Sequence, residues 1–159
     1  MAQCSDSPRI LVRSDHRDAR SEARTLRRLA RAFLMELGLA GAELSLVLTT
    51  DARIRRLNRI WRSVDRPTDV LSFPAARHPA HEGRARSLGD IVISIDTARR
   101  RSHRDRRPLE RELARYLAHG LLHLVGHDHQ RPAQARRMAL VEKRLLGGAG
   151  MLDASDELD

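Results

Sequence analysis

His119-Gly120-Leu121-Leu122-His123-Leu124-Val125-Gly126-His127-Asp128-His129 is the stretch on which the fold reading turns. A helix advances about 100° per residue, so His119 and His123 fall within about 40° of each other on one face. Glu112 and Tyr116 extend that face toward the N-terminus, while Leu113, Leu117, Leu121 and Leu124 occupy the opposite side. Such a helix buries a leucine stripe and turns two stacked imidazoles toward something other than the core. Two imidazoles four residues apart can hold one metal ion from consecutive turns.

Gly126 permits a sharp turn, because glycine reaches positive φ without steric cost. That turn can return a third imidazole beneath the first two. His127 and His129 compete for this role, and the spacing template selects His129. Three histidines leave a fourth tetrahedral position open for water, the arrangement of a catalytic zinc site. Water held there becomes a good nucleophile near neutral pH. The spacing matches the H-x-x-x-H-x-x-G-x-x-H skeleton of metzincin peptidases. The glutamate base that peptidases place after the first histidine is replaced by Gly120, so the ligand pattern survives without the peptidase chemistry.

Outward from this helix, short strands interleave with helices. Ile10, Leu11 and Val12 mark a strand over Pro8 to Arg13, and Leu26, Leu29, Ala30, Phe33, Leu34 and Leu37 a helix over Asp18 to Leu37. Leu44, Leu46 and Leu48 alternate as in a half-buried strand. A helix from Asp51 sets Ile54, Leu57 and Trp61 on one side and is broken by Pro67. Val70 to Phe73 and Leu88 to Ile95 read as strands flanking a polar loop, Pro74 to Ser87, with His78 and His81. Asp96 can cap a basic helical segment reaching Arg107, Pro108 suits the first position of the histidine helix, and a last helix runs from Pro132 to about Leu146. The pattern predicts an α/β (α+β type) fold: one domain over residues 1–150, with about four strands in a small mixed sheet against about five helices. Residues 151–159 form an acidic tail expected to be disordered.

Composition bounds the function. The chain has 159 residues, 41% hydrophobic, and a formal net charge of +9. Of its 30 basic residues only Lys143 is lysine, a skew typical of GC-rich coding. The acidic tail leaves the preceding body more basic still, so polyanions are a natural partner class. Only Phe33, Trp61, Phe73 and Tyr116 are aromatic, which argues against an extended base-stacking platform. Cys4 is the sole cysteine, excluding an intrachain disulfide framework and Cys-based zinc motifs. Met1 to Arg13 shows no apolar h-region and no apolar run approaches a membrane span, so a cytoplasmic location without membrane contact is expected.

The histidine cluster, as H-G-x-L-H-L-x-G-[YH]-D-H, resembles the bacterial YbeY family. Leu57 to Pro74 is similar to that family's L-N-x-x-x-R-x-K-D-x-P-T-D-V-L-S-F-P signature, and Leu88 to Ser94 to its L-G-D-I-x-I segment. The resemblance implies a zincin-like metal helix, a single divalent ion, most simply Zn²⁺, and single-strand-specific RNA cleavage. It further implies work on ribosomal RNA precursors, notably the small-subunit 3′ end, ribosome quality control, and ribosome-associated protein partners. By motif position His119, His123 and His129 inherit metal ligation and Arg62 the catalytic arginine, whose guanidinium can clamp phosphate oxygens. Val64 replaces the signature lysine, His127 stands where tyrosine is common, and Arg115 where another histidine is frequent.

Other polar residues admit two readings each. Asp69 can turn the chain after Pro67 or serve the site. Asp90 can hold a loop amide or orient a ligand imidazole. Asp128 can act as acid or base, or shape the loop as an Asx-turn. The run Arg99 to Arg107 is a solvated face or an RNA-backbone contact. The rival functions are a non-catalytic ribosome assembly factor with a structural metal and, against Gly120, a metallopeptidase.

Overall fold

The computed structural model describes residues 7–76, 86–127 and 129–152. The elements run β1 (Arg9–Ser14), α1 (Arg20–Glu36), β2 (Ala42–Thr49), α2 (Asp51–Arg62), β3 (Val70–Pro74), β4 (Arg86–Ser94), α3 (Ile95–Asp105), α4 (Leu109–Leu124) and α5 (Pro132–Gly148). The strands form one mixed sheet in the order β1-β2-β4-β3. β1 and β4 each run parallel to β2, and β3 pairs antiparallel with β4. The α/β class, with a small four-stranded sheet and five helices among the described residues, is as the pattern predicts.

Alternation in β2 sends Leu44, Leu46 and Leu48 into the larger core. There they meet the buried stripe of α1 (Leu26, Leu29, Ala30, Phe33, Leu34) and the leucines of α4. α2 covers the other face, where Ile54 packs with Leu71 and Val92 in a smaller cluster. β3 therefore splits its side chains. Leu71 and Phe73 serve the α2 face, while Val70 and Ser72 face α4, whose Gly120 carbonyl accepts a 3.1 Å hydrogen bond from Ser72 Oγ.

Several local details differ from expectation. α2 ends at Arg62, ahead of Pro67, because Ser63 adopts φ 56° and the Val64 N–H closes onto the Asn58 carbonyl. This places Arg62 on the helix's last residue. Trp61 lies on the side of Ile54 and Leu57 as expected but is 67% exposed, since the end of α2 reaches the edge strand, where Phe73 is its ring partner. Ser94, not Asp96, caps α3 by accepting from the Thr97 N–H, and α3 stops at Asp105 with Arg106 at φ 50°. Asp96 instead accepts from the Asp51 N–H and lies 3.1 Å from His16 Nε2. Pro108 precedes the first residue of α4 as its cap, and α5 continues to Gly148. His78, His81 and residues 153–159 of the acidic tail lie outside the described residues, and no described helix is long and apolar enough to cross a membrane.

Candidate metal centre and cleft

α4 ends in a tight closure. The Gly126 N–H bonds the His123 carbonyl at 3.1 Å and the His127 N–H bonds the Leu122 carbonyl at 2.9 Å, with Gly126 at φ 96°. The chain thus reverses just below the two helical histidines. His119, His123 and His129 each offer a ring nitrogen, and these nitrogens all lie within 4.8 Å of one another. His119 Nε2 and His123 Nε2 are 3.1 Å apart. Tetrahedral zinc with Zn–N near 2.0–2.1 Å needs ligand nitrogens roughly 3.3 Å apart, so this pair already converges on one point. The set of three neutral nitrogen donors suits a divalent ion of borderline softness. His127 is not part of this group.

The histidines lie in a cleft of about 570 Å³ between α4 and the β3 edge. Arg62, Asp69, Ser72, Arg101, Arg115 and Glu142 also line it. Arg62 is exposed, and no hydrogen bond or ion pair engages its guanidinium among the described residues. Asp69 holds the turn after Pro67 and also reaches an arginine of the cleft. Its Oδ1 accepts from the Thr68 hydroxyl and the Val70 N–H, fixing the turn, while Oδ2 accepts from Arg101 Nη1 at 2.7 Å. Asp90 is exposed on β4 opposite Phe73 and does not line the cleft. Asp128 lies outside the described residues.

The basic run resolves mostly into fold contacts. Arg99 binds Glu22, Arg100 binds Asp51 and Arg104 binds Asp105. Only Arg101 of this run lines the cleft, stacked 5.7 Å from the centroid of Tyr116. The Tyr116 hydroxyl is buried, and burial pushes the phenol up, so it stays protonated at neutral pH.

Ser72 and Glu142 of the cleft were not named as site candidates by the sequence, and Arg101 was read only within the Arg99 to Arg107 run. Glu142 comes from α5, with Oε2 3.6 Å from His119 Nδ1. Arg115, one turn before His119, was named by the sequence only as a departure from the family pattern.

The family model for endoribonuclease YbeY matches residues 11–150. The chain is 53% identical to an endoribonuclease YbeY of Myxococcus xanthus over 94% of its own length. It spans about half of that relative, 51%. It is likewise 53% identical to one from Anaeromyxobacter sp., covering 92% of this chain and 74% of the relative. A Rhodopseudomonas palustris counterpart is 39% identical, with 94% and 90% covered. The fold is similar to the solution structure of TM1509 from Thermotoga maritima, with a TM-score of 0.56 and 21% identity over 87% of this chain and 89% of that one.

Proposed function

The chain belongs to the endoribonuclease YbeY family, and from that premise we propose that it is a metal-dependent hydrolase of single-stranded RNA acting on ribosomal RNA precursors in the cytoplasm. The observation that carries this reading is the convergence of His119, His123 and His129 in a cleft whose wall presents the uncommitted guanidinium of Arg62. We assign metal ligation to the three histidines and take the ion to be Zn²⁺. When bound, the ion supplies Lewis-acid polarisation at phosphorus and an activated nucleophile.

The remaining steps belong to the side chains. Arg62 holds the scissile phosphate through paired N–H donors and offsets charge growing on its oxygens. Arg101, restrained by Asp69, and Arg115 add positive potential along the same wall. The ribosomal small subunit and its proteins are the proposed setting in which RNA reaches the cleft. Gly120 argues against peptide hydrolysis, since its backbone is packed against β3 and β4 and no base can stand there.

The test is cleavage of a single-stranded precursor-rRNA fragment by the metal-loaded protein, beside His123→Ala and Arg62→Ala checked for fold. Loss of cleavage in both, with metal retained in Arg62→Ala, is expected. Equal cleavage by all three would assign the activity to a contaminant. No cleavage by any, with metal bound and small subunits still co-sedimenting, would favour the assembly-factor reading.

A further inference from the structure

Trp61 is the chain's only tryptophan, and its indole is 67% exposed. An aromatic ring that size is usually well covered, so its position asks for a reason. Its ring partner is Phe73, at a centroid distance of 5.7 Å and an interplanar angle of 66°, an edge contact that leaves the indole largely bare. The next residue, Arg62, lines the metal cleft, as do Ser72 and Pro74 on either side of Phe73. The indole is thus braced on the outer side of the edge strand whose inner side forms the cleft wall. Its chain neighbours Arg59 and Ile60 are exposed as well, Ile60 to 62%.

We infer that Trp61 is the seat for one unpaired nucleobase flanking the phosphate held at Arg62. This rests on the RNA-cleaving reading proposed above. The argument is complementarity: a strand drawn over this edge meets a guanidinium for its phosphate and, one residue away, a flat ring for its base. Every base has a π-face, so one such seat favours unpaired over paired RNA without selecting sequence. Phe73 fixes the indole in advance, which limits the ordering cost of stacking. One ring is enough for this role, although four aromatic residues could not make an extended platform.

The sole tryptophan is also its own probe. Full-length protein carrying His123→Ala, which leaves the strand uncut, is titrated with a short single-stranded RNA, with the same strand made abasic, and with an RNA duplex. Quenching of Trp61 fluorescence by the base-bearing single strand, and not by the abasic strand or duplex, is expected. In the otherwise wild-type protein, Trp61→Leu should raise KM for single-stranded RNA about five- to ten-fold, the low end for one lost base stack, with kcat nearly unchanged. Trp61→Phe should stay near wild type. Thermal melting checks that these exposed substitutions leave the fold intact.

Quenching by the abasic strand alike, or no quenching, overturns the seat. So does a Trp61→Leu protein that cleaves free RNA normally, and one that does so while losing small-subunit co-sedimentation marks a protein-docking surface instead. Should wild-type protein cleave no RNA, the nuclease reading fails separately, and the fluorescence titration still decides whether Trp61 seats a base.

Discussion

Gly120 lies so close to Ser72 that a Cβ built on it would stand 2.9 Å from the Ser72 Oγ and 3.0 Å from the Ile91 Cγ2. The position after the first histidine is therefore a packing contact between α4 and the sheet, not a point of the cleft. Gly120→Ala should cost about 1–3 kcal/mol through overpacking. Because His119 and His123 ride on the displaced helix, metal affinity should fall with it. Denaturant melts and metal titration on one preparation check both, and unchanged values in the two would refute the packing account.

Metal binding should depend on three histidines and not on a fourth. His119→Ala, His123→Ala and His129→Ala should each weaken binding by more than the roughly 10–100-fold typical of losing an outer-shell partner. His127→Ala should leave it near wild type, since the His127 ring is outside the converging group. Metal content after dialysis against a chelator separates the two cases. A large loss in His127→Ala would reassign the third ligand.

What could be read from the chain follows the range of the interactions involved. The three histidines were legible because a helical period and a glycine closure are local, spanning 11 residues from His119 to His129. Glu142 was not, nor was the choice of Arg101 from its basic run, since α5 and α3 are carried to the cleft by packing that no spacing rule encodes. The exposure of Trp61 was not legible for a related reason. Periodicity set it on the side of Ile54 and Leu57, but only the strand order shows that this end of α2 meets an edge strand. The cap of α3 was assigned to Asp96, yet Ser94 takes it, because Asp96 is drawn to Asp51 and His16.

Arg62 should matter to turnover and not to stability. It is the last residue of α2 and exposed, so Arg62→Ala should change stability by less than about 0.5 kcal/mol. Single-turnover cleavage should drop on the order of 10²–10³-fold, as when one donor to a developing oxyanion is removed. Arg62→Lys should recover little, because an ammonium cannot make the paired contact. Full activity in the lysine variant would reduce the role to simple charge.

The α2–α3 junction should make the fold acid-sensitive. Burial alone would raise Asp51, but hydrogen bonds from Ser94 and Thr97, each 2.6 Å, and from Arg100 outweigh it and hold the carboxyl below its ordinary value. Glu22 behaves likewise: burial opposes ionisation, while Arg99 and Ser21 lower the net value. Their folded values are depressed, so the stabilisation is complete above the ordinary 4.5 and 3.8 and drains away as pH falls through and below them. Tm should be flat near neutrality and drop below about pH 4.5. Asp51→Asn should lose about 1–3 kcal/mol at neutral pH and show a shallower acid slope. An unaltered slope would remove Asp51 from this account.

Glu142 should tune the metal site from outside it. The Nε2 of His119 faces the Nε2 of His123, which leaves Nδ1 directed toward Oε2 of Glu142 at 3.6 Å. A carboxylate there favours the tautomer with hydrogen on Nδ1 and a lone pair on Nε2, and it steadies the ring against rotation. The gap is longer than a hydrogen bond, so the effect should be at the lower end of the usual range. Glu142→Gln is expected to weaken metal affinity about ten-fold, while protein saturated with metal keeps most of its turnover. The shared readout is a metal-competition titration beside cleavage at saturating metal. Unchanged affinity would sink the positioning role. Lost turnover at full metal occupancy would instead put Glu142 among the groups that handle the reacting proton.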